Sequence, residues 1–208
     1  MIVPSMNFEE IRKELQKELP IILRKAGYVA DDLAKVLKPK RDEQYVRYFD
    51  YLSKYKNKWI YRVLITKKRN YFSVLLYDYD YKGLRGLTMM GESLDDYIFM
   101  FTSHFFKRYN ERRKLNLIKP NDILKAFMED NLTFEVLPLE DIAPNMESIF
   151  CITNTGTILG TADTKLKLYR MNTFLTNDML HNDQTKIAAQ LMEEFNLERL
   201  HYSVPDFI

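Results

Sequence analysis

The chain has almost no cysteine: Cys151 is the only one in 208 residues. That excludes an intramolecular disulfide framework and an all-cysteine zinc site, and it suits a reducing compartment. No apolar run reaches the roughly 18 residues a membrane-spanning helix needs. The opening MIVPSMNFEEIRKELQ lacks the basic-then-apolar pattern of a secretory leader. A cytoplasmic chain with no membrane partner is the expectation. Excess charge of one sign is missing too. Thirty-one Lys and Arg against 29 Asp and Glu leave a formal net charge of +2, so whole-molecule electrostatics does not point to nucleic acid.

Chemical motifs are equally sparse. There is no HExxH, CxxC or facial-triad pattern, so Asp178, His181 and Asp183 have only the type and spacing of weak ligands. NTGTILG carries Gly156 and Gly160 but neither GxGxxG nor Walker spacing, and it reads as a hairpin turn. Cys151, set among Ile149, Phe150 and Ile152, reads as core. No metal and no cofactor is implied.

What the chain does have is material for a core: 46% apolar residues, with 14 Tyr and 13 Phe. Phe8, Ile11, Leu15, Leu19 and Ile22 recur at helical steps behind Asn7, a capping residue. Pro20 and Gly27 mark a kink and a stop. Residues 30–54 read as a second helical stretch divided by Pro39. WIYRVLITKKRNYFSVLLYDYDY, residues 59–81, reads as an antiparallel hairpin turning at KKRN, with Tyr77, Tyr79 and Tyr81 on one face and Asp78 and Asp80 on the other. Gly83 to Gly91 is the nearest approach to a boundary. YIFMFT leads as a strand into a helix over 102–113, and Pro120 starts another that ends near Asn131. Strands follow at 133–137, 148–153, 157–161 and 166–175, with a loop at 138–144, and Thr176 can cap a C-terminal helix.

The fold class is therefore α+β: an antiparallel sheet with helices packed on it, an N-terminal helical extension and a C-terminal helix. It forms one domain over 1–208, with a helical part at 1–57, a sheet-containing core at 58–176 and a helix and tail at 177–208.

The most informative stretch is TSHFFKRYNERR, Thr102 to Arg113. At 100° per residue His104, Lys107, Arg108 and Glu111 share one face, Phe105, Phe106 and Tyr109 take the other, and Arg112 lies near the apolar edge. An imidazole moves protons near neutral pH, guanidiniums bind phosphate and stabilise charge growing on it, and Glu111 can serve as base or orient an arginine. The plainer reading makes Arg108 and Glu111 a surface ion pair and has His104 merely start a helix.

This run, followed by the proline-started NDILKAFMEDN and then antiparallel strands, resembles the small domains of the barnase, EndoU, colicin D and RelE group. There, a His, Arg and Arg pattern at four-residue steps precedes a second helix and a sheet. The matching positions are His104, Arg108, Glu111 and Arg112, and the resemblance spans Thr102 to Thr176. It implies metal-independent cleavage of RNA by a toxin-like endoribonuclease, with His104 as general acid or base and Arg108 and Arg112 on the phosphate. Lys107 and, from the strand LKLYRMNTFL, Tyr169, Arg170 and Thr173 are candidate substrate contacts. The long C-terminal segment departs from a minimal toxin domain. Two other readings stand beside this one: a non-catalytic nucleic-acid-binding or mobile-element accessory protein using the same face, and an interaction protein whose N-terminal helices meet a protein partner.

Overall fold

The computed structural model describes residues 1–3, 5–40, 43–80, 82–89, 97–131, 134–181, 184–186 and 189. Most of the expected C-terminal helix falls outside these residues, and the described part of that region holds a short 3-10 turn at Asn177–Met179. The fold is α+β, as expected.

Helix α1 (Phe8–Leu37) opens with a capping box: the Asn7 side chain accepts from Glu10 N at 3.0 Å, and the Glu10 carboxylate accepts from Asn7 N at 2.8 Å. The helix does not stop at Gly27 but runs through both Pro20 and Gly27. Pro20 is exposed, so the hydrogen bond it withholds lies on the wet side. The buried stripe Ile11, Leu15, Ile22, Ala26 and Ala30 outweighs the roughly 3 kcal/mol a helix-interior proline costs.

Beyond Lys38, which ends α1 in the left-handed region at φ 42°, the chain turns to sheet. β1 (Gln44–Leu52) lies where a second helix was expected. Its Tyr45, Phe49 and Tyr51 lean on the α1 side and Tyr48 on the other, and it pairs in full antiparallel register with β2 (Lys58–Thr66). β3 (Asn70–Asp80), β4 (Gly83–Met89) and β5 (Ile98–Phe101) continue the meander; Gly83 opens a strand, and Gly91 lies outside the described residues. After α2 (Ser103–Arg112) and α3 (Pro120–Asp130) comes a second meander: β6 (Phe134–Ala143), β7 (Met146–Thr153), β8 (Gly156–Asp163) and β9 (Leu168–Leu175). β6 passes through the expected loop at 138–144. As an edge strand it accommodates Pro138, at the cost of register shifts after that residue.

The described strands form one sheet in the order β1-β2-β3-β4-β5-β9-β8-β7-β6. Only β5 and β9 run parallel, in register from Ile98↔Leu168 to Phe101↔Met171. On one face α1 packs against Trp59, Tyr61, Val63, Val74, Leu76 and Met100. On the other, α2 and α3 pack against Ile60, Leu75, Phe101, Met171 and Phe174. A Cβ at Gly86 would stand 3.1 Å from the Phe106 ring, so the missing side chain gives α2 its seat on β4.

Each interface carries a buried polar anchor. Under α1, Glu18 is buried and accepts from Asn57 Nδ2 at 2.6 Å and Trp59 Nε1 at 2.8 Å, while Asn57 Oδ1 accepts from Ile2 N at 2.6 Å. On the α3 side, buried Arg62 approaches Glu129 Oε2 at 3.4 Å through Nε, and the Tyr48 hydroxyl donates to the same carboxylate oxygen. Burial, reinforced by Glu129, pushes the Tyr48 hydroxyl well above its ordinary range.

Two outcomes follow from these anchors. Glu18→Ala strands two buried donors and is expected to lower unfolding free energy by about 3 kcal/mol in urea titration. Tyr109 of α2, buried and bonded to Asp130, is raised like Tyr48. Both hydroxyls stay neutral in the folded chain at a pH where unfolded tyrosines, near pKa 10, ionise. Their contribution is therefore intact below about pH 10 and is lost as pH climbs past it, so Tyr48→Phe/Tyr109→Phe should show a shallower alkaline fall in Tm than the unaltered chain.

Candidate functional site

The site candidate begins at the junction of β5 and α2. Thr102 caps α2 by accepting from Phe105 N at 3.2 Å, and its hydroxyl and backbone N–H both donate to Met171 O at 3.1 Å. The helix is thus fixed at its first turn to β9. Phe105, Phe106 and Tyr109 drive into a ring cluster with Phe101, Phe127 and Phe174, with centroid separations of 5.2 Å for Phe101–Phe105, 5.6 Å for Phe106–Phe127 and 5.2 Å for Tyr109–Phe174. With that side consumed, His104, Lys107, Arg108 and Glu111 are left on the outer face.

On that face His104 and Lys107 are exposed. Arg108 Nη1 meets Glu111 Oε2 at 3.0 Å, both about two-fifths exposed at 41% and 44%, so this ion pair is open to solvent and to exchange for another anion. The side chain of His104 takes part in no hydrogen bond or ion pair among the described residues.

The other cations of the run are committed to the fold. Arg112 donates to the Phe174 carbonyl and, at 3.4 Å, to Thr173 Oγ1, tying the end of α2 to β9. Arg113 donates from Nε at 3.2 Å and Nη2 at 3.0 Å to Asp130 Oδ2, which also accepts from the Tyr109 hydroxyl at 2.6 Å. That trio locks α2 to α3. Asn110 then brackets the following loop, its Oδ1 accepting from Leu117 N at 3.1 Å and its Nδ2 donating to Leu117 O at 2.9 Å.

The strand candidates separate. Thr173 meets Arg112 as described. Tyr169 stacks on Tyr97 at 4.4 Å and leans on Phe99 at 5.0 Å, and burial, with Tyr97 and Glu147 adding to it, raises its hydroxyl above the ordinary range. Arg170 is exposed and sits beside Met100 in register, on the α1 face and so across the sheet from α2. His104, Lys107, Arg108 and Glu111 are thus gathered on one surface, Arg112 and Thr173 are joined at its edge, and Tyr169 and Arg170 stand apart from it.

Elsewhere, Asp78 is held bidentate by Arg85, with Arg85 Nε to Asp78 Oδ1 at 2.9 Å; Asp80's side chain and Tyr81 lie outside the described residues. Among the described residues no three His, Cys, Asp or Glu side chains gather as a metal site, and Asp183 lies outside them. Cys151 is fully buried, as read. The Tyr109–Arg113–Asp130 trio and buried Arg62 leave little local signal in the sequence, since their partners lie 17 to 67 residues away. An arginine directly after a core tyrosine and a terminal helix acid were the only available cues.

No family model, curated protein or solved structure matches the chain. What the outer face of α2 can do chemically follows from its groups: cations to hold phosphate oxygens, an imidazole to carry a proton, and a carboxylate to balance them.

Arg112 provides a check on the division between surface and fold. Arg112→Ala is expected to cost about 1–3 kcal/mol of stability by leaving the Phe174 carbonyl unmatched, whereas Lys107→Ala should change Tm by little, as thermal unfolding by circular dichroism would show.

Proposed function

We propose that the chain binds RNA through the outer face of α2, with Lys107 and Arg108 on the phosphate backbone and His104 beside them. The observation that supports this reading most is the division of labour along the helix. Every aromatic side chain of α2 is buried, the cations at its end are spent on Phe174 and Asp130, and His104, Lys107 and Arg108 remain on solvent with a single acid. A rigid helix on a packed base presents its cations to a phosphate chain without backbone reorganisation. Arg108 would exchange Glu111 for phosphate, which a solvent-open pair does at little cost.

A second reading is favoured by the unengaged His104 imidazole: metal-independent transesterification, in which the RNA 2′-hydroxyl attacks the adjacent phosphorus. A new P–O2′ bond forms, the P–O5′ bond breaks, and the leaving 5′-oxygen takes its proton from His104 while Glu111 accepts the 2′ proton. Arg108 would balance the charge growing on the phosphorane.

Fluorescence anisotropy with labelled single-stranded RNA across a salt series tests the first reading. Affinity should fall with salt, and Lys107→Ala/Arg108→Ala should weaken binding about tenfold and flatten the log–log salt slope by roughly 1 to 1.5. A double variant that binds as tightly as the unaltered chain overturns it. The second reading is checked by incubating RNA with the chain in EDTA: cleavage products ending in a cyclic phosphate, lost in His104→Ala, support it, and intact RNA refutes it.

A further inference from the structure

A second concentration of positive charge lies away from α2, where the end of α1 meets the β2–β3 turn. A cavity of about 330 Å3 opens there, walled by Lys38 and Pro39 from the helix end and by Thr66, Lys67, Lys68 and Arg69 from the turn. Among the described residues its walls bring four cations together and no acid, although the chain carries 29 Asp and Glu. The side chains of Lys38, Lys67, Lys68 and Arg69 make no hydrogen bond or ion pair among the described residues. Of the acids nearby in sequence, Asp32 pairs with Lys35 at 3.0 Å and Glu43 accepts from Lys40 N at 3.0 Å, while Asp42 lies outside the described residues.

Both walls are held by backbone bonds. Thr66 Oγ1 donates to Arg69 O at 2.6 Å and accepts from Arg69 N at 3.0 Å, and Thr66 N donates to Arg69 O at 3.1 Å, so the three turn cations spring from a closed turn. Lys38 is fixed by its left-handed backbone and by its N–H to Ala34 O at 3.2 Å. The helix dipole does not account for the cluster: the carbonyl end of α1 is worth roughly half a negative charge, against four positive ones. Nor is this a run of like charge spread over a solvated helix, because two separate segments are brought together to line one cavity. Holding unneutralised like charges together is unfavourable, and an anion entering the cavity relieves it.

We infer that this cavity is a binding site for a phosphate chain bearing several adjacent anionic groups. A single phosphate satisfies two of the four cations, whereas an oligophosphate or two or three consecutive backbone phosphates satisfy all of them. The site lies on the α1 side of the fold and is independent of the proposed role of α2.

Sodium tripolyphosphate titrated calorimetrically into the full chain at fixed ionic strength tests this, with orthophosphate and a short single-stranded RNA in parallel. Tripolyphosphate should bind saturably and roughly tenfold more tightly than orthophosphate. Its Kd should rise about tenfold in Lys67→Ala/Arg69→Ala and several-fold in Lys38→Ala, which leaves the turn intact, and stay unchanged in Lys107→Ala/Arg108→Ala. RNA that displaces tripolyphosphate identifies a nucleic-acid backbone as the source of the phosphates, and RNA that does not identifies a free oligophosphate. Absence of saturable binding, or a Kd in both the Lys38 and turn variants equal to that of the unaltered chain, overturns the inference. A loss confined to the α2 variant overturns it as well, and would leave the reading of α2 standing.

Discussion

The parallel pairing of β5 with β9 is the constraint on which the rest of the molecule depends. Each meander builds itself from neighbouring antiparallel strands, and each taken alone ends in an open edge. The four-residue β5 joins them, with Ile98 N donating to Lys167 O at 2.9 Å at one end and Thr102 N to Met171 O at the other. Because Thr102 also caps α2, the same junction sets where the basic helix starts and which way it runs. Arg12 adds a second tie between the halves, reaching from α1 to the carbonyls of Leu166 and Lys167 just before β9.

From that junction the division of α2 into a buried and an exposed side follows by packing. The aromatic rings have one surface to enter, the floor made by Phe101, Met171 and Phe174, and Gly86 leaves room for Phe106 above β4. Once the rings are in, the polar residues of the opposite arc have nowhere to go but solvent. The cations at the end of the helix find a carbonyl and a carboxylate within reach and become part of the scaffold. A positive run of sequence is thereby sorted into residues that hold the fold and residues left facing solvent.

Much of this was legible in the residues alone. The two-sided character of α2, the proline-started α3 and the hairpins at KKRN and NTG were visible because their signals are local: a period, a cap, a turn. Three misreadings have one common cause, the priority of tertiary pairing over local preference. Pro20 and Gly27 did not break α1 because its buried stripe continues past them. Residues 44–52 became β1 because β2 offered a complete pairing partner. Pro138 did not end β6 because an edge strand needs donors on one side only. The roles of Arg112 and Arg113, the separation of Arg170 from α2, and the meeting of Lys38 with the KKR turn depend on contacts between distant segments, which no spacing rule encodes.

The junction also has a bearing on how the chain reaches its native state. Thr102 and Met171 are 69 residues apart, whereas every other strand pairing joins neighbours in the chain. Closing that loop costs entropy that hairpin formation does not, so the two meanders can zip early and independently while the parallel pair waits for both. Until it closes, α2 lacks its N-terminal tether and the floor contributed by Met171 and Phe174, and its aromatic side has no complete surface to enter. The outer face of α2 is thus complete only once the two halves of the sheet have met.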